Sequence, residues 1–466
     1  MRCSVDSIFR LPNIISEFKY SIRLAIPLVA AEVLYGLNGF IATAMISHLG
    51  KEQLAANALV WGIYLTVIVF FIGIFCAIGI MGSQSFGAKD NIGCSLCFKQ
   101  GLIMSIICSL PMTLIMWGMP IVLVWTKQDP TVIAYAKPFF HSLIWSMLPL
   151  NIMVVLQQFF TAIDKARLVM LMSILAVPIE IFFYYAFLFG KFGFPNAGLA
   201  GIGYGLTVSY VLISLLFGGY LYFSKQFKIY HPFKKWWIFE YKFFVEMLRV
   251  GLPLGATFCS ELIFFAIVAL MMGILGTTTL AAYQISYQYL MLGLVVLFGL
   301  SQTTTIRVGN EVGRNNRGGI KLTALVNMGL ALALISLLSF FYITFPNAAI
   351  SIDIDPTLDS FKAVAAEAMR FFPIVGILLI SECIRHLFCS ALRGLKDSSF
   401  QMLISVVGFW GIAFPTCYLL AFKLGLGGVG IWWGIVVGLF VTGIMLWLRF
   451  NRLVKQIDLS SLVTKK

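Results

Sequence analysis

The chain has 466 residues, of which 60% are hydrophobic and only 11% charged, with a mean hydropathy of +0.95. A soluble core and its solvated surface cannot share that much apolar material, so the composition excludes a soluble globular protein and indicates a polytopic membrane protein. The formal net charge of +14 does not point to nucleic acid, because the lysines and arginines are spread among many loops; the partner it implies is the lipid bilayer.

Apolar stretches of about 20 residues, long enough to cross a bilayer as helices, open near Ser21, Leu54, Leu96, Ala134, Leu168, Gly198, Leu248, Leu280, Lys321, Ala363, Gln401 and Leu426. They are about twice the length of a barrel strand and lack period-two alternation, which predicts an all-α membrane protein of roughly twelve helices. No cleavable leader is read in the mixed, polar residues before Ser21. Two carboxylates fall inside the early spans, Glu32 in the first and Glu180 in the fifth, and together they predict an acidic site in the first half. Between the sixth and seventh spans lies the basic segment Lys225 to Lys242, with Trp236 and Trp237, which suits an anionic leaflet surface better than a nucleic acid.

Basic residues sort by loop. With a cytoplasmic N-terminus, that side holds Arg2, Arg10, Lys19, Arg23, Lys89, Lys99, Lys165, Arg167, Arg307, Arg314, Arg393, Lys396, Arg449 and Arg452 among others, whereas the opposite loops keep mainly Lys51, Lys127, Lys191 and Lys423 with the acidic Asp353, Asp355 and Asp359. This asymmetry predicts about twelve crossings with both termini cytoplasmic, in a plasma or bacterial inner membrane.

Laying the second half on the first, Pro27 falls on Pro253, Gly50 on Gly276, Leu54-Ala55-Ala56 on Leu280-Ala281-Ala282 and Gly87 on Gly313, each pair 226 positions apart (253 less 27). The expected organisation is therefore an N-lobe over 1–223, a cytoplasmic linker over 224–241 and a C-lobe over 242–466. Each lobe should hold roughly six helices, with the two related by a pseudo-twofold axis around a central cavity, as in carriers built from parallel halves. A monomer is expected.

In the second half, Glu261 sits inside the apolar run Pro253 to Gly276, and Glu382 inside Ala363 to Leu392 with Arg385 three residues on. A carboxylate at membrane depth costs several kcal/mol unless it is paired, hydrated or protonated, so these positions mark a working site. Glu261 is near the centre of an outward-running span. Glu382 lies about 6 Å past the centre of an inward-running one, and side chains tilt toward helix N-termini, so the two carboxylates should approach one depth. Arg385, on the same helical face as Glu382, is expected to pair with it and leave Glu261 as the group that takes up the proton.

Enzyme and metal readings find little support. No HExxH or GxSxG occurs, and His48, His141, His231 and His386 are dispersed. The one CxxC, Cys94 to Cys97, lacks the partner pair that zinc, with about four ligands, would need; no metal or cofactor is expected.

The residues resemble the multidrug and toxic compound extrusion (MATE) family over nearly the whole chain. The resemblance rests on Gly39-Phe40 to His48-Leu49-Gly50-Lys51, Lys127-Gln128-Asp129-Pro130, Gly276 to Gln284, Ile306-Arg307-Val308-Gly309-Asn310 to Gly313 and Leu392-Arg393-Gly394, the first two being closer to the eukaryotic branch. It implies efflux of organic cations or amphipathic compounds driven by H+ or Na+. It also implies a coupling role for Glu261 and its partner Glu382, and substrate contact for Tyr283, Gln284, Tyr287 and Gln288, which Phe265 would supplement through its ring. Ala42 stands where many bacterial members have an aspartate, Glu180 replaces an asparagine, and Glu32 is additional. The eukaryotic-like motifs and the missing aspartate favour H+. The rival readings are Na+-coupled antiport and a lipid-linked oligosaccharide flippase; the latter typically adds cavity basic residues, of which only Arg385 is found here.

Overall fold

The computed structural model describes residues 11–353 and 359–462, so Arg2, Arg10 and Asp355 lie outside it. Among the described residues the secondary structure is helical, with no strand. The spans are α1 (Leu11–Ser47), α2 (Lys51–Gly87), α3 (Asn91–Trp125), α4 (Pro130–Ile144 with Met147–Ala162), α5 (Ala166–Phe189), α6 (Ala200–Phe223), α7 (Tyr241–Leu275), α8 (Thr277–Gly313), α9 (Arg317–Thr344), α10 (Asp359–Gly394), α11 (Ser398–Lys423) and α12 (Gly427–Gln456). Among the described residues, eleven helices are each long and apolar enough to cross a membrane, and the bent pair of α4, counted as one span, makes twelve.

Two irregularities have local causes. The pieces of α4 meet at 50°, where Pro149 has no N–H to offer the Trp145 carbonyl and the Ser146 hydroxyl donates back to the Leu143 carbonyl at 2.7 Å. In α11 the turns widen to π geometry over Val407–Ala413 and Leu419–Lys423. Pro415 leaves the Gly411 carbonyl without its usual partner beside the first of these stretches.

The internal repeat is visible in backbone geometry. α2 and α8 both have 37 residues and follow glycines at φ 128° and 132°, Gly50 and Gly276, a region that side chains avoid. Both helices end before a residue of positive φ, Lys89 at 58° and Asn315 at 55°. Each is followed by a side-chain cap: Asp90 accepts from the Ile92 amide at 3.0 Å and Asn316 from the Gly319 amide at 3.0 Å. The Lys127 to Pro130 motif is likewise a turn. Lys127 has φ 54°, Asp129 accepts from the Thr131 amide at 2.7 Å, and the Thr131 hydroxyl and amide hold the Asp129 carboxyl below its ordinary range.

Contacts divide the described residues into two compact units, one of Ala30–Gly255 and the other of Leu11 to Val29 together with Ala256–Leu462. The divisions fall inside α1 and α7, so relative to the halves read from sequence the units exchange the first parts of those helices. In the Ala30–Gly255 unit, α2 packs on α3 and α4, α6 packs on α4 and α5, and the linker is tied to α3 where Gln100 Nε2 donates to the Ile238 carbonyl at 2.8 Å. In the other unit α10 is central, touching α8, α9 and α12.

Small residues let these helices close, as expected where lipid removes the hydrophobic drive between helices. A Cβ on Gly434 of α12 would lie 2.5 Å from the Cys417 backbone nitrogen of α11. Gly434→Val is expected to force the two helices apart and sharply lower the yield of monodisperse protein in size-exclusion chromatography; an unchanged elution profile would contradict this packing.

Candidate functional site

Spacing on α10 puts Glu382, Arg385 and His386 on one face, three and four residues apart. Arg385 Nε donates to Glu382 Oε2 at 2.8 Å, and its Nη2 donates to Glu261 Oε1 of α7 at 2.7 Å. The same Nη2 is 2.7 Å from Glu382 Oε2 and 2.9 Å from His386 Nε2. A guanidinium only donates, so His386 accepts at Nε2 and carries its proton at Nδ1. Below this group the Phe409 ring of the π stretch lies 5.1 Å from the guanidinium carbon, and Phe298 meets the His386 ring edge-on at 5.3 Å. Glu382, Arg385 and His386 are fully buried, while Glu261 keeps 12% of its side chain exposed.

Sequence reasoning expected the two carboxylates to approach one depth and gave Arg385 to Glu382 alone. One guanidinium carries several divergent N–H groups, and here they reach both carboxylates. His386, read as dispersed, belongs to the same cluster; its spacing of four from Glu382 was the available signal. Glu261, Glu382 and His386 offer ligand atoms that all lie within 4.8 Å of one another, a spacing that would suit a cation, and the Arg385 Nη2 sits in their midst. Glu382 Oε1 and His386 Nδ1 are buried with no hydrogen-bond partner among the described residues.

The aromatic candidates sit beside this cluster. Tyr283 and Tyr287 stack at 5.5 Å, Phe265 meets Tyr287 at 5.5 Å, and the Tyr283 hydroxyl donates to the Phe265 carbonyl at 3.3 Å. Tyr283 and Phe265 are buried, while Tyr287 is half-buried and its hydroxyl lies within electrostatic reach of Glu261 and Glu382. Gln284 and Gln288 are exposed on the adjoining face of α8.

In the Ala30–Gly255 unit, Glu180 of α5 is buried and accepts from Asn38 Nδ2 of α1 and from the Tyr184 hydroxyl at 3.4 Å. Glu32 is half-buried, and it and Glu180 both act electrostatically on Tyr35. Asn38 lies one turn before Ala42, so a polar group from α1 still reaches the Glu180 carboxylate.

A third cluster escaped sequence reading. Glu17 of α1 accepts from Arg307 Nε of α8 at 3.0 Å, from Arg307 Nη2, and from the Thr323 hydroxyl of α9 at 2.9 Å. Tyr20 lies 4.1 Å from the Arg307 guanidinium carbon. The cluster borders a cavity of about 420 Å³ lined also by Asn13, Glu311 and Arg314. Glu17 is the nearer of two acids to Arg307, with Glu311 Oε1 also 3.8 Å from its Nη2, so Glu17→Ala removes charged hydrogen bonds without stranding the guanidinium and is expected to cost about 1.5 to 3 kcal/mol. Chemical denaturation of the purified protein measures this, and a loss below ~1 kcal/mol, the range of a surface pair, would show that the charge is not sealed.

Residues 27–186 and 253–419 match the family model described as MatE, two segments whose starts repeat the 226-residue offset of the sequence. A Pseudomonas aeruginosa protein described as "Probable multidrug resistance protein NorM" is 31% identical over 435 residues, 93% of this chain and 89% of its own. A Rhizobium meliloti protein of the same description is 26% identical over 443 residues, 95% of each chain. The crystal structure of the eukaryotic MATE transporter AtDTX14 shares the fold, with a TM-score of 0.82 at 20% identity, covering 97% of this chain and 98% of that one.

Proposed function

The chain belongs to the MatE family of integral membrane transporters, and on that footing we propose that it is a secondary active multidrug efflux antiporter. It exports organic cations or amphipathic compounds in exchange for H+ by alternating access. The observation that carries this reading is the buried Glu261–Arg385–Glu382 cluster, with Glu261 the only member open to solvent.

Two carboxylates share one guanidinium, so the cluster has one negative charge in excess when both are ionised. That excess draws a cation. A proton delivered to Glu261 cancels it and releases the cargo, and by linkage cargo binding expels protons to the same degree. Tyr287, within electrostatic reach of the carboxylates, adds about 0.5 to 2 kcal/mol toward an organic cation through its ring face. Glu32 and Glu180, sharing Tyr35 as a neighbour, form a second acidic site on this reading. An even number of crossings leaves both termini on one side, the cytoplasmic one by the distribution of basic residues, in a plasma or bacterial inner membrane. The protein acts as a monomer.

Reconstituted vesicles test the scheme. Ethidium uptake is expected to follow an imposed pH gradient and to ignore an imposed Na+ gradient; uptake driven by Na+ alone overturns the H+ assignment, and flux that runs only down the ethidium gradient overturns antiport.

A further inference from the structure

We propose that Arg385 is a built-in cation that occupies the Glu261–Glu382 pair and keeps Na+ out of it, so that Arg385 sets the ion specificity of the site. This inference rests on the coupling role given above to the two glutamates.

Sodium binds where carboxylate oxygens converge and replace its water. Such convergence exists here: one oxygen of Glu261, one of Glu382 and a nitrogen of His386 lie within 4.8 Å of one another. The Arg385 Nη2 already stands 2.7, 2.7 and 2.9 Å from these three atoms, its two N–H groups at charge-assisted hydrogen-bond distance from Glu261 and His386. The guanidinium is held from several directions. Its Nε is engaged by Glu382 at 2.8 Å, its carbon faces Phe409 at 5.1 Å, and the whole side chain is buried.

A sodium ion could enter only by expelling this group into apolar surroundings, leaving an uncompensated charge of the kind that proteins tolerate least. A proton needs no such displacement, because it adds to an oxygen without claiming the space of Nη2. An organic cation likewise need not enter the pocket, since Glu261 keeps an exposed edge from which it can be met. Arg385 therefore separates Na+ from H+ by occupying the coordination volume itself.

The experiment is Na+ binding to purified protein, read as saturable uptake of radioactive Na+ and as the rise in melting temperature on replacing choline by Na+ at constant ionic strength. The wild type and Arg385→Lys, which keeps a tethered cation, are expected to show neither signal. Arg385→Gln, which removes the charge and offers a carbonyl oxygen, is expected to bind Na+ saturably and to melt several degrees higher in Na+, with both effects lost on adding Glu261→Gln. Where Arg385→Gln does not fold in choline, preparation in Na+ is expected to rescue it. Saturable binding to the wild type that disappears in Glu261→Gln overturns the proposal, as does folded Arg385→Gln that ignores Na+, or a failure of Na+ to rescue it. Binding is read without transport, so a wild type that fails to exchange ethidium for H+ would refute the antiport reading and leave this result standing.

Discussion

Glu261→Gln is expected to reduce pH-driven ethidium accumulation in reconstituted vesicles to the level of protein-free liposomes while the protein remains folded. The argument is one of charge and of access. Glu261 is the member of the cluster with an exposed edge, and a neutral amide can neither gain a proton from the outside nor lose one to bind a cation. The amide oxygen still accepts from Arg385 Nη2, so the cost to stability is confined to the loss of one charge-assisted bond, roughly 1.5 to 3 kcal/mol. Ethidium binding should release protons from the wild type, as read with a pH-sensitive dye in weak buffer, and release none from the variant. Retained uphill accumulation by a well-folded Glu261→Gln protein would move the coupling step elsewhere, with Glu180 the first place to look.

The largest stability effect should come from Arg385→Met. Two buried carboxylates lose their shared cation at once, and breaking such a pair costs about 3 to 5 kcal/mol. Methionine fills much of the volume, so charge rather than a cavity dominates the loss. Adding Glu382→Gln should return most of the stability, because only the partly exposed Glu261 then stays unpaired, and the difference between the double variant and the sum of the singles measures the coupling. Denaturation in sodium-free detergent solution provides the numbers. Additive losses would mean that Arg385 and Glu382 are energetically independent, contrary to their 2.8 Å contact.

Much of this molecule was legible in its residues because membranes make charge conspicuous. Glu261, Glu382 and Glu180 stood out as carboxylates in apolar runs, and all three are buried or nearly so against partners. Depth could be reasoned from helix direction and side-chain tilt; contact could not, because the rotation of α7 about its axis depends on what it packs against. That is why Arg385 was assigned to its helical neighbour and not also to Glu261. His386 was overlooked for a related reason: four scattered histidines carry no pattern until one of them lies beside two acids. Glu17 was hidden differently. It stands in a polar opening that reads as solvent-exposed, yet α1 begins at Leu11 and carries it against Arg307 and Thr323. The twelve spans were found within a few residues, apart from α1 and α7, which begin ten residues before Ser21 and seven before Leu248. The bend in α4 was missed because its apolar pattern continues through Pro149 without a change in character.

The placement of Leu11 to Val29 has a consequence for where the chain can be divided. Leu11 to Val29 fold with Ala256–Leu462, and the opening of α7 folds with Ala30–Gly255. Two polypeptides made by cutting between Ser224 and Tyr241 would each be missing the leading turns that complete its own body and would carry those of the other.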